Sequence, residues 1–283
     1  MEKSASHKHP VCKRVLLEKK DVQEFLEKHP QKEHAAHIPE GAKVAKDAKP
    51  KPVQHDTTSV APNEYPYNVI GKLFFGGESF DRENPDGSVT AALVGPNIIV
   101  TAASQIPFDT AGLWLRFVPG FNDGNEPFGS AFVINSYGYL DSSATTNYNY
   151  VVMELDTPLG STCGWLGTYA NQSSAEYLEY QNWNTVGYPV QAPILLQKLL
   201  IERDDVGGEA NRKDFFAKQD FTVADQPGWY GAPMFGTPLD ENGGSYVIGV
   251  VSGNFEYEGT SYIVYAGGED LLSIVRWAYE NYS

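Results

Sequence analysis

The sequence predicts an all-β fold, closed by one C-terminal helix and preceded by an N-terminal arm of different character. Three observations carry this. Ten short runs rich in β-branched and aromatic residues follow residue 65, from "VIGKLFF" to "TSYIVYAGG", with Gly, Pro, Asn and Asp between them. The closing stretch "EDLLSIVRWAYENY" sets Leu271, Leu272, Val275 and Ala278 or Tyr279 at helical spacing, which reads as one amphipathic helix packed on the last barrel. Before about residue 60 the chain is instead rich in Lys, Glu, His and Pro and poor in aromatics.

Within that arm, "RVLLEKKDVQEFLEKHP" places Val15, Val22, Phe25 and Leu26 on one helical face ending at His29-Pro30. "PEGAKVAKDAKPKPVQ" then reads as a flexible, partly extended linker. Residues 1–60 are therefore expected to be a largely flexible arm or pro-segment, either docking through one helix or trailing as a tail. Residues 61–283 are expected to be the β domain.

Composition excludes several function classes. Residues 1–60 carry 12 Lys/Arg against 9 Asp/Glu, whereas the remainder carries 9 against 27, a balance of −18. So acidic a domain repels phosphate backbones, which argues against a nucleic-acid partner. No stretch approaches 18 consecutive apolar residues, so no membrane-spanning helix is expected, and no signal peptide is visible in the first 30 residues. The only two cysteines, Cys12 and Cys163, lie in segments of different character and form no disulfide framework. No phosphate-cradling loop or dinucleotide fingerprint appears, so no cofactor is expected. "NDGNE" (122–126) and "DENGG" (240–244) lack full calcium-loop spacing and read as polar turns, so no metal site is expected either. Asn171 and Asn281 head glycosylation sequons.

Six phrases in the β region recur in a recognisable order: "YPYNVIGKLFF" (65–75), "AALVGPNIIVTAAS" (91–104), "NYNYVVMEL" (147–155), "CGWLG" (163–167), "DQPGWYGAPMF" (225–235) and "YVIGVVSG" (246–253). Together they resemble secreted serine peptidases of the chymotrypsin (trypsin-like) fold, especially the glutamyl-endopeptidase-like branch. The resemblance implies two packed antiparallel six-stranded β-barrels. The first is expected at about 65–156, the second at about 157–267 and the helix at about 268–281. It also implies secretion, with the arm as a former propeptide.

The departures from that pattern fall on the chemistry. The resemblance aligns the general-base histidine with Ser104, the orienting aspartate with Asn149 and the nucleophilic serine with Tyr230. A serine cannot take a proton from a nucleophile near neutral pH, and a neutral amide cannot stabilise an imidazolium. All six histidines lie at or before residue 55, so the β domain has no imidazole to substitute. Lys72, Lys198, Lys213 and Lys218 form no recognisable serine–lysine pair, and Cys163 reads as a small packed residue.

The chain is accordingly expected to be a catalytically inactive peptidase homologue. Its former cleft would bind a protein or extended peptide, in the manner of an inhibitor, decoy or effector. The cleft candidates are Gly228, Trp229, Tyr230 and Gly231 at the old nucleophile turn, with Val251, Ser252 and Gly253 on the strand that pairs with substrate in the family. An active endopeptidase with an unrecognised arrangement is the alternative, and a structural relic of the fold is another.

Overall fold

A computed structural model describes residues 10–29, 34–45, 58–78, 81, 83–139, 148–170, 177–178, 183–189, 195–199, 201–205, 213–218, 228–236 and 244–282. Its elements run β1 (Lys13–Leu17), α1 (Lys19–Lys28), β2 (Thr58–Ser59), β3 (Ile70–Gly76), β4 (Gly87–Leu93), β5 (Ile98–Thr101), β6 (Trp114–Pro119), β7 (Ala131–Tyr139) and β8 (Val151–Leu155). There follow α2 (Gly160–Cys163), β9 (Gly167–Thr168), β10 (Trp183–Gly187), β11 (Leu195–Leu199), β12 (Ile201–Asp205), β13 (Lys213–Lys218), β14 (Pro233–Gly236), β15 (Tyr246–Tyr257), β16 (Thr260–Gly267) and α3 (Glu269–Tyr282).

Strands β3 to β8 form a closed six-stranded barrel, because β7 pairs with both β6 and β8 while β3 joins β4 to β6. Alternation sends Leu73, Ala91, Leu115, Phe117 and Met153 into its core. Lys72 and Phe74 take the other face of β3, where Phe74 packs with Trp114, Val118 and Phe121. The second sheet runs β12-β13-β16-β15-β14-β10-β11-β2, with β9 against β15. β11 and β12 are separated by one residue. β10 pairs onto the first and β13 onto the second.

The helix α3 buries Leu271, Ile274, Val275 and Ala278, a cleaner stripe than expected, since Ile274 replaces Leu272. It does not pack chiefly on the last barrel. It crosses back onto β5 and β8 of the first. Asn97 Nδ2 donates to Tyr282 O at 2.7 Å, and the Tyr282 ring stacks on Tyr137 with centroids 4.9 Å apart.

The expectation of a largely flexible arm does not extend to its described residues. Residues 13–17 are strand rather than helix and pair in parallel with the edge of β7, from Lys13↔Asn135 to Leu17↔Tyr139. An open sheet edge is worth more to Val15 and Leu17 than a solvent-exposed helical turn, and both pack against the core while Leu16 faces out. The helix is thus only α1, with Val22 fully buried. Lys19 Nζ lies 2.9 Å from the buried Asp270 of α3, and Arg276 donates to His29 O at 2.8 Å. Beyond it, His34 bridges to Thr168, His37 to Trp165 and Val44 to Tyr65, and β2 pairs with β11. The arm therefore contributes a strand to each sheet. The linker expected at 39–54 is described only to residue 45.

Burial pushes the pKa of His34 down to about 4, while its ring bonds Val94 O and stands edge-on to Tyr279 at 4.5 Å. The groups facing it are Arg276, Tyr279 and Glu280, which line the same recess. A histidine depressed in the folded state contributes stability above its unfolded pKa and loses it as pH falls through the folded value. Between pH 6.5 and about 4 the loss amounts to about 3 kcal/mol, at about 1.36 kcal/mol per pKa unit. Thermal unfolding of wild type against His34→Leu is expected to show a pH-dependent gap that changes across this window. A constant gap would mean that His34 is not held neutral.

Candidate functional site

The pairing of β5 with β8 brings two of the three substituted positions together. Thr101 faces Val151, so Ser104 just past β5 meets Asn149 just before β8. Asn149 Oδ1 accepts the Ser104 backbone N–H at 2.7 Å, which fixes the orientation of the amide. Its Nδ2 then donates to Ser104 Oγ at 2.9 Å and to Ser252 O at 2.8 Å. Asn149 thus joins the exposed Ser104 of the first barrel to the buried Ser252 of the second, and none of these side chains titrates near neutral pH.

The third position is held by a turn that only glycine can make. Gly228 has φ 104° and Gly231 φ 81°. A Cβ on Gly228 would sit 2.2 Å from Tyr188 O, and one on Gly231 would sit 2.1 Å from Thr101 Oγ1. Among the described residues, neither the Gly228 nor the Tyr230 N–H meets a hydrogen-bond acceptor. The turn is fastened to the first barrel by Thr90 of β4, whose hydroxyl donates to Gly228 O at 2.6 Å and accepts from Tyr188 N at 2.9 Å. Thr90 N donates to Tyr230 O at 3.0 Å.

Thr90 was not singled out by sequence reasoning; its only signal is a lone hydroxyl in the apolar strand "VTAAL". Thr90→Val keeps the shape but strands two buried backbone groups, each costing about 1–3 kcal/mol. A denaturant midpoint shift equivalent to about 2–4 kcal/mol is expected in urea unfolding. A shift under ~0.5 kcal/mol would mean that the turn does not depend on this hydroxyl.

The cleft candidates separate on exposure. Tyr230 is half-buried and, with Gly228, lines a pocket of about 540 Å³ shared with Lys72, Phe74, Phe75, Asp86 and Gln105. Gly231 is buried. Trp229 is not a cleft group: it is fully buried in the second core against Gly187, where an added Cβ would lie 2.4 Å from its ring. The glycine-bounded turn sends residue 229 inward and leaves 230 at the cleft. Val251 is also fully buried, Ser252 is 6% exposed and Gly253 half-buried. From Val251 to Tyr257, β15 is paired on one edge with β16; on its other edge Val251 is bonded to the turn, its N–H donating to Ala232 O at 2.9 Å and its O accepting the Gly231 N–H at 3.0 Å, and no described strand pairs beyond it.

The described histidines stay away from this pocket: His29 bonds Phe25 O, His34 bonds Val94 O and His37 stacks on Trp165. Burial raises the thiol of Cys12 to about 11 and that of Cys163 to about 12, so both are protonated near neutrality. Lys72, to which the sequence offers no recognisable serine partner, lines the pocket beside Tyr230, and burial lowers its pKa. The described arm residues are not among those lining the pocket.

No protein-family model matches the chain. It is 30% identical over 116 residues to a glutamyl endopeptidase of Bacillus licheniformis, covering 39% of this chain and 33% of that protein. It is 28% identical over 116 residues to an extracellular metalloprotease of Bacillus subtilis, covering 39% of this chain and 36% of that protein. The chain thus spans about a third of the length of these curated relatives. Among the described residues no three His, Cys, Asp or Glu side chains converge, so they offer no donor set to a metal. In shape, the chain matches a Glu endopeptidase solved in complex with MPD at TM-score 0.62 and 21% identity, covering 81% of this chain and 98% of that one. It matches the thermostable serine protease AL20 at TM-score 0.54 and 15% identity, covering 76% of this chain and 98% of that one. The protease Anisep of Arthrobacter nicotinovorans matches at TM-score 0.53 and 16% identity, over 75% of this chain and 94% of that one. Sequence and shape therefore agree that the chain has the chymotrypsin-like fold of serine endopeptidases, related to that of glutamyl endopeptidase.

Proposed function

We propose that the chain is a non-catalytic homologue of serine endopeptidases that binds a protein or extended peptide in its former substrate cleft. The observation that carries this is the Asn149 amide, which satisfies Ser104 and Ser252 where a peptidase needs an ionised aspartate and an imidazole. With Tyr230 on the nucleophile turn and no histidine after residue 55, the β domain supplies no imidazole to take a proton from a cleft hydroxyl. What remains suits binding. The turn offers two N–H donors, Tyr230 offers an aromatic face, and β15 offers a strand edge to which an extended peptide can add. One relative is named extracellular, which supports secretion for this chain too.

Tyr230→p-benzoylphenylalanine in the full chain tests the binding half of this reading. Irradiation with a random peptide pool is expected to give adducts at residue 230 that unlabelled peptide competes away. No adduct at millimolar peptide would favour a fold retained without a ligand. Hydrolysis is the second reading, favoured by the names of the related proteins.

A further inference from the structure

The arm strand β1 ends its sheet, with one edge on β7 and the other turned outward. Cys12 N, just before the strand, donates to Leu113 O at 3.0 Å. Among the described residues, 13–17 make no backbone hydrogen bond except to β7. In a parallel pair alternate residues turn both N–H and C=O toward the partner, so those between turn theirs away. Such an edge is usually guarded by a proline, a bulge or a covering loop. Residues 13–17 have no proline, and their register on β7 runs without a bulge. Two apolar side chains stand exposed beside this edge, Val11 at 56% and Leu16 at 41%. Only the charges of Lys13 and Arg14 protect it, and charges select a partner as well as repel one.

The pattern along β1 is complementary to itself. Arg14, Leu16 and Glu18 are exposed on one face, while Val15 and Leu17 pack on the core from the other. Glu18 keeps an extended backbone, so the strand conformation runs through it before α1 begins. A second β1 added antiparallel keeps both cores on one side of the joined sheet only when one residue sits on the two-fold axis and opposes itself. With Leu16 on the axis, Leu16 meets Leu16, Val15 meets Leu17, and Arg14 meets Glu18 twice by symmetry. With Val15 on the axis Arg14 would face Leu16, and with Leu17 on it Arg14 would face Lys20. Only the Leu16 register matches opposite charges and pairs apolar with apolar. Opposite charges directly across a ladder contribute about 0.2–1 kcal/mol per pair. At present Glu18 lies 2.7 Å from Lys20 Nζ and the Arg14 guanidinium stands 4.4 Å above the Phe108 ring. The Glu18–Lys20 pair is exposed and yields at little cost.

We propose that the outer edge of β1 binds a second copy of this chain, antiparallel about a two-fold axis through Leu16, joining two seven-stranded sheets into one. The arm then serves as an association strand, whatever the cleft binds. With five strand residues a side the interface is short, and it belongs with the weak, reversible contacts below about 1,200 Å².

Sedimentation equilibrium of the full chain, from about 1 μM to about 1 mM, tests this and is expected to show a reversible monomer–dimer equilibrium. Arg14→Glu and Glu18→Arg each set like charges across the axis, and each is expected to weaken the dimer about 10-fold or more. Mixed in equal amounts, the two variants carry only acidic groups on one chain and only basic groups on the other at these positions. The mixture is therefore expected to dimerise at least as tightly as wild type. Leu16→Lys places two ammonium groups on the axis and is expected to abolish the dimer. All three side chains are exposed, so thermal midpoints at about 1 μM are expected to stay within about 3 °C of wild type. A chain that is monomeric at every concentration would overturn the proposal. So would a dimer equally tight in all three variants, or a mixture no tighter than either variant alone.

Discussion

Removing residues 1–45 is expected to lower the thermal midpoint of the remaining chain by more than 10 °C, or to prevent folding outright. Three separate losses add up. β7 loses its partner β1 and exposes an open edge. Val22 leaves a fully buried seat. Asp270, 2% exposed, keeps its carboxylate in the interior without Lys19. Losing one partner of a buried pair costs about 3–5 kcal/mol, less here because the Lys19 side chain is 28% exposed. In a domain of this size each kcal/mol moves the midpoint by about 2–4 °C.

A point variant makes the same case without truncation. Val22→Asp places an unpaired carboxylate at that seat and is expected to cost about 3–5 kcal/mol in urea unfolding. A truncated chain that melts within about 2 °C of the full one would show the arm to be dispensable. It would restore the expectation of a removable propeptide.

Asn149→Asp is the second large effect, because it turns the hydrogen bond donated to Ser252 O into a repulsion, while the Ser104 hydroxyl can turn to donate to the new carboxylate. An aspartate still accepts the Ser104 N–H, but its second oxygen points at Ser252 O, 2.8 Å from the present nitrogen. Leaving that carbonyl unpaired against a buried negative charge is expected to cost about 2–4 kcal/mol at pH 7. Burial and the facing carbonyl raise the aspartate's folded pKa. Its contribution is therefore full below the unfolded pKa, and stability is lost as pH rises through the folded pKa. The gap between variant and wild type should shrink toward acid pH, where a protonated aspartate can donate to Ser252 O. A variant as stable as wild type at pH 7 would mean that the amide is not required. The restored aspartate of the peptidase pattern is thus expected to destabilise this chain.

The parts of the fold that were legible in the sequence are those whose signal is local. Gly228 and Gly231 mark a turn that needs positive φ, and "NIIVTAAS" and "NYNYVVMEL" mark adjacent strands whose ends bring Ser104 to Asn149. What was missed depends on partners far away in the chain. Val15 and Leu17 look helical beside "KKDVQEFL", and only the edge of β7, more than a hundred residues on, makes them strand. Trp229 reads as a recognition aromatic until Gly187 is seen to open a slot for it in the core. Lys72 hides in a strand phrase because Phe121 and Tyr230, which turn it into a pocket cation, lie 49 and 158 positions downstream.

The measurement that tests the central claim most directly is hydrolysis of a broad peptide pool by the purified full chain. The triple variant Ser104→His, Asn149→Asp, Tyr230→Ser serves as the control for an intact cleft. The natural chain is expected to be silent, since loss of triad members costs on the order of a million-fold in turnover. Any turnover recovered by the triple variant would then show that only the chemistry was lost. Turnover by the natural chain that follows this protein through purification, and persists when contaminating peptidases are inhibited, would contradict a non-catalytic cleft.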